Sequence, residues 1–171
     1  MHVRCTLAAA ALAAVALAAP AAAQMEHNFK PSPAFSQLTP LAGEWEGQNS
    51  AGKTVTASYQ VVSGGTALLE RLRTGDEPEM LTVYTPDGDH VAVTHFCSSG
   101  NQPQMRTVAL GGDAKTFSFT FVRATNLPTP ETGHMHHLTV TLQDKDHFTQ
   151  EWTWQEKGTG HTAVFHFTRK A

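Results

Sequence analysis

The chain has 171 residues, 40% of them hydrophobic and 16% charged, with a formal charge of −3. That composition can bury one ordinary core and is far from that of a disordered chain. Twelve lysines and arginines face fifteen acids with no basic run, so there is no electrostatic footprint for a phosphate backbone and nucleic acid is not an expected partner.

The first element is a leader. Arg4 precedes an unbroken Ala, Leu and Val run from Leu7 to Ala19. This run is too short for a spanning helix, which needs roughly 20 apolar residues, and it matches the apolar centre of a signal peptide. Pro20-Ala21-Ala22-Ala23-Gln24 places small residues at the −3 and −1 positions of a cleavage after Ala23. The expectation is a signal peptide over 1–23 and a periplasmic or secreted mature chain with no membrane span. Cys5 lies before the apolar run, so no lipid anchor is expected, and Cys97 is left without an internal disulfide partner.

Residues 24–40 hold Pro31, Pro33 and Pro40 and read as a lead-in, with a helical turn at 34–38 that could cap one end of the domain. From Leu41 the pattern changes to short alternating runs separated by turn residues, and no stretch keeps a helical period. The expected strands are 44–48, 54–62, 67–73, 80–84, 90–96, 105–110, 116–124, 135–143, 148–155 and 161–169. Turn chemistry such as Ser63-Gly64-Gly65, Pro86-Asp87-Gly88 and Gly111-Gly112-Asp113 separates them. Two longer gaps, 97–104 and 125–134, stand out.

The reading is therefore all-β: one domain over 41–171, an antiparallel up-and-down barrel of about ten strands. Closure removes the exposed edges that invite aggregation. Barrels of this size commonly leave a lumen for one small ligand.

The first strand carries a resemblance. Leu41-Ala42-Gly43-Glu44-Trp45-Glu46-Gly47 is similar to the glycine–x–tryptophan opening of the calycin barrels, namely lipocalins, fatty-acid-binding proteins and nitrobindin-like proteins. The Gly64-Gly65 turn and the block from Thr94 to Pro103 resemble a bacterial family of secreted lipocalin-like proteins of unknown function. The resemblance implies that Trp45 plugs one end of the barrel.

Alternate residues of a strand share a face, so a polar residue on the apolar parity is informative. His95 follows Val91 and Val93, Glu70 sits between Leu68 and Leu72, and Arg123 continues the stripe of Phe117, Phe119 and Phe121. His134 and His136 precede Leu138 and Val140, and Gln150 lies between Phe148 and Trp152. Such groups must pair with one another, with water or with a ligand, because leaving them unpaired inside a protein is costly. Glu70 and Arg123 are the obvious candidate pair. A small, mostly apolar ligand would be held by His95, Arg123, His134, His136, Glu70, Gln150 and Trp152.

The same residues admit other chemistry. His95, Cys97, His134 and His136 could supply a tetrahedral set for zinc, although the spacing is not a recognised motif. The resemblance to nitrobindin-like proteins raises a haem reading with His161 as axial ligand. A structural or stress-response domain with no small ligand is a third alternative. No nucleophile elbow, P-loop or dinucleotide fingerprint is present, and no catalytic residue is assigned.

Overall fold

The computed structural model describes residues 30–171. The leader, its cleavage site and the start of the lead-in lie outside the described residues.

Ser32 caps a one-turn helix α1 (Pro33–Ser36) by accepting a hydrogen bond from the Phe35 N–H at 3.2 Å, and Pro33 supplies a preset φ at the first turn. A 3-10 turn (Thr39–Leu41) follows. Phe35 and Leu38 are completely buried, so this segment closes one end of the sheet that comes next.

Ten strands make that sheet: β1 (Gly43–Asn49), β2 (Thr54–Val62), β3 (Ala67–Thr74), β4 (Met80–Asp87), β5 (His90–Phe96), β6 (Gln102–Arg106), β7 (Thr116–Thr125), β8 (His134–Leu142), β9 (His147–Glu156) and β10 (Thr159–Arg169). Each pairs antiparallel with its chain neighbours, and β1 pairs with β10 from Trp45↔Arg169 to Asn49↔Phe165, so the barrel is closed. Among the described residues no helix is long and apolar enough to cross a membrane.

The core is the inward parity of these strands. Val55, Ala57 and Tyr59 of β2, Val91 and Val93 of β5, Phe117 and Phe119 of β7, and Phe148 and Trp152 of β9 are all buried. Trp45 is 1% exposed at the α1 end, donating its indole N–H to the Leu41 carbonyl at 2.7 Å and meeting the Phe148 ring edge-on at 4.7 Å.

One strand lies elsewhere than the alternation suggests. The sequence pattern predicts β6 at 105–110, but it runs over Gln102–Arg106, and 107–115 forms the long connection instead. Pro103 reads as a breaker because it gives no N–H to a ladder. Here it stands opposite Ala124 of β7, beyond the end of the β5–β6 ladder, which covers only Gln104 to Arg106.

Two bulges interrupt the wall. Gln104 faces Arg123 while Met105 faces Phe121, which makes Val122 an extra residue in β7. Met135 faces Trp154 while His137 faces Thr153, which makes His136 an extra residue in β8. The β7–β8 ladder ends at Thr120↔His137, beside both extra residues. Bulges commonly re-aim side chains and end pairing, and here they open a seam between the upper halves of β7 and β8.

Candidate functional site

Four of the sequence-predicted site residues meet inside the barrel. Glu70 and Gln150 are fully buried, His95 is 1% exposed and Trp152 is 2% exposed. Gln150 donates through Nε2 to Glu70 Oε1 and to the Tyr59 hydroxyl, each at 2.8 Å, and its Oε1 accepts the Trp152 indole N–H at 3.0 Å. Tyr84 donates its hydroxyl to Glu70 Oε2 at 2.8 Å. The carboxyl is thus held by an amide and a phenol, without a cation.

That arrangement sets its charge preference. Burial pushes the Glu70 carboxyl above its usual range, while hydrogen bonds from Tyr84, Gln150, Tyr59 and Thr82 pull in the opposite direction without cancelling it. Burial raises the Tyr59 and Tyr84 hydroxyls well above the ordinary phenol value, and the nearby Glu70 charge adds to the effect. The expected Glu70–Arg123 pair does not form. Val122 shifts the parity of β7, so Arg123 is exposed and donates from Nε to Gln104 Oε1 at 2.8 Å.

His95 lies on β5 at the wall of the same interior. Its Nδ1 shares a hydrogen bond of 3.0 Å with the Thr82 hydroxyl, and its ring lies 4.5 Å from that of Trp152. Burial lowers its pKa to about 4, so the ring is neutral at neutral pH. Its Nε2 is buried with no hydrogen-bond partner among the described residues, as are Asn101 Oδ1 and Thr74 Oγ1. Asn101 uses its amide nitrogen to hold the Gly133 carbonyl at 2.9 Å, tying the β5–β6 turn to the β7–β8 loop.

His134 and His136 lie apart from these groups, at the seam. His134 is 3% exposed, and Phe121 packs on it at 4.6 Å between ring centres and on His136 at 5.1 Å. A surface cleft of about 460 Å³ opens here, lined by both histidines with Phe121, Arg123 and the 127–130 segment. Burial and the neighbouring His134 and His137 lower the pKa of His136.

The proposed zinc set is not assembled. Among the described residues no three His, Cys, Asp or Glu side chains come together as a metal-binding group. Cys97 is half-buried against the hydrophobic core, whereas His95 is bound to Thr82 and His134 to His136. His161 is exposed on β10 opposite Trp154. An axial haem ligand needs an apolar pocket around the ring, and an exposed position does not supply one.

Alternation alone missed three partners and one buried turn residue. Tyr59, Thr82 and Tyr84 lie on the inward parity of β2 and β4, but they read as ordinary core residues because nothing in sequence shows that their hydroxyls converge on Glu70 and His95. Asn101 sits in a turn, where its burial has no periodic signal.

No family model matches the chain, and no curated protein matches it. Among solved structures the chain is similar to a protein of unknown function from the DUF3598 family of Nostoc punctiforme. The identity is 16% and the TM-score 0.54, over 82% of this chain and 51% of that one, so the chain spans about half the length of that protein. The likeness is one of fold, and it fits a barrel family of unknown function.

Proposed function

We propose that the barrel is a non-catalytic, exported binding protein that holds a small, mostly apolar molecule inside its wall, against His95 and Trp152. The observation that supports this reading best is Nε2 of His95, a buried polar atom with no partner among the described residues. An orphaned polar atom costs about 1–3 kcal/mol, which a ligand with one matching polar group would offset. The apolar Trp152 ring lies beside it, 4.5 Å between ring centres, and the bond from its indole N–H to Gln150 ties it to the Glu70–Gln150–Tyr84 network.

The test uses 1-aminoanthracene, an apolar fluorescent probe with a single polar group. Saturable binding to the protein freed of its leader, weakened about tenfold in His95→Leu, supports the reading. Absence of saturable binding, or equal affinity in a folded His95→Leu protein, overturns it. The export part is tested separately: the protein recovered from the periplasm or medium should begin at Gln24, and retention of the uncleaved chain in the cytoplasm contradicts it.

A further inference from the structure

The two histidines at the seam have their tautomers fixed by one backbone carbonyl. His134 Nδ1 lies 2.7 Å from the Thr132 carbonyl oxygen, and its Nε2 lies 3.2 Å from Nδ1 of His136. A carbonyl oxygen only accepts, so His134 Nδ1 must carry the hydrogen. In the uncharged pair, His134 Nε2 is then a bare acceptor and must receive the hydrogen on His136 Nδ1. What is left is Nε2 of His136, a lone pair with no partner among the described residues, on a side chain that lines the cleft. The chain of bonds from the carbonyl through both rings leaves this nitrogen as an acceptor and forbids it to donate while the pair stays neutral.

The rest of the cleft suits an aromatic ring. Phe121, Leu127, Pro128 and Pro130 supply apolar walls, and Val122, the bulged residue of β7, is 61% exposed beside them. Its volume of about 460 Å³ falls in the range of small-molecule sites. Arg123 lines the same cleft and uses only Nε, on Gln104, so its two terminal nitrogens are free among the described residues.

We propose that this cleft is a second binding site, distinct from the one at His95, for a small aromatic molecule with a hydroxyl donor, a phenol, whose O–H donates to His136 Nε2. The Arg123 guanidinium lines the same cleft and would steady the negative character that such a shared proton leaves on the phenol oxygen. A carboxylate offers no donor to that lone pair, so benzoate could engage Arg123 alone and would leave His136 Nε2 without a partner. A benzene ring without a hydroxyl gains the apolar contacts but not the hydrogen bond. The site shares no residue with the His95 site, and its success or failure is independent of that reading.

The probe is 4-methylphenol, whose hydroxyl keeps its proton at neutral pH, followed by isothermal titration calorimetry and by long-range proton–nitrogen spectra of the histidine rings. In the free protein at neutral pH, His134 and His136 should both carry their hydrogen on Nδ1. Addition of 4-methylphenol should move the Nε2 resonance of His136. Affinity should fall about tenfold for toluene and for the His136→Ala protein, the loss one hydrogen bond supplies, and remain unchanged in His95→Leu. A His136 ring protonated on Nε2 in the free protein overturns the proposal. So does equal binding of toluene and 4-methylphenol, or binding lost in His95→Leu and kept in His136→Ala, which would place the phenol at the His95 site. Where His136→Ala fails to fold, an Nε2 resonance of the unmodified protein that does not respond to 4-methylphenol overturns the proposal as well.

Discussion

Gln150 of β9 reaches across the barrel interior to Glu70 of β3, with β10, β1 and β2 between them around the wall, and their 2.8 Å hydrogen bond joins two strands that share no ladder. The bond matters because both residues are fully buried. A buried carboxyl with no cation beside it disfavours its own ionisation, and each donor aimed at it loses a partner when it is removed.

Glu70→Leu should therefore cost about 2–6 kcal/mol in urea unfolding at neutral pH, because it leaves the Tyr84 O–H and one N–H of the Gln150 amide without their acceptor, at about 1–3 kcal/mol each. Glu70→Gln should behave differently with pH. The native carboxyl has a raised pKa, so its contribution is present below the unfolded value of about 4.5 and is lost as pH rises through the native one. Glutamine has no such loss. The stability of Glu70→Gln relative to the parent should increase as pH rises above about 4.5 and through the raised native value, and a constant difference would show that the native carboxyl is not shifted.

His95 gives the opposite slope. Its native pKa is lowered to about 4 from 6.5 by burial, so the unfolded chain binds the proton first. The contribution is fully present above about 6.5 and is lost as pH falls toward 4. The full shift is worth on the order of 3 kcal/mol. Between those two pH values the parent should lose about that much more stability than His95→Leu in urea unfolding, since the variant has nothing to protonate at this position.

The residues of this inner network are legible in the sequence to the extent that their strands keep strict alternation. Phe148, Gln150 and Trp152 alternate without interruption, as do Leu68, Glu70 and Leu72 and the run Val91, Val93, His95, and all of them are buried. Alternation fails where one residue is inserted, since a single extra residue moves everything beyond it to the other face. Val122 does this to Arg123, and His136 is itself the inserted residue of β8. No local signal marks either bulge: Val122 follows Phe121 in an apolar run, and His136 sits among three histidines. Pro103 conceals β6 for a related reason, because a proline is a breaker in a paired ladder and harmless just beyond its end.

The glycine of the opening motif makes a prediction of its own. A Cβ on Gly47 would overlap the His166 carbonyl oxygen and approach the Phe167 Cα at 3.3 Å. These are main-chain atoms of β10, so no side-chain rotation relieves the clash, and the β1–β10 ladder is the one that closes the barrel. Gly47→Ala should cost more than about 3 kcal/mol or prevent folding. Gly160→Ala is the control: its nearest neighbours would be Thr153 Cγ2 at 3.5 Å and the Trp154 carbonyl oxygen at 3.8 Å. It should fold normally and melt close to the parent, as followed by circular dichroism.

At the closed end, Arg169 lies over the Trp45 ring with its guanidinium carbon 4.1 Å from the ring centre. The same group donates to three backbone carbonyls, from Nε to Lys145 at 3.1 Å and from its two terminal nitrogens to Ala42 at 3.0 Å and Pro40 at 2.7 Å. It thereby ties the 3-10 turn and the β8–β9 turn to the end of β10. A lysine could keep the charge over the ring, but an ammonium cannot fork to three carbonyls in these directions. Arg169→Lys should accordingly lose most of what Arg169→Ala loses, about 1–2 kcal/mol in urea unfolding. If Arg169→Lys retained the parent stability, the charge over Trp45 would be the stabilising contact, and the three carbonyl bonds would be worth no more than their exchange with water.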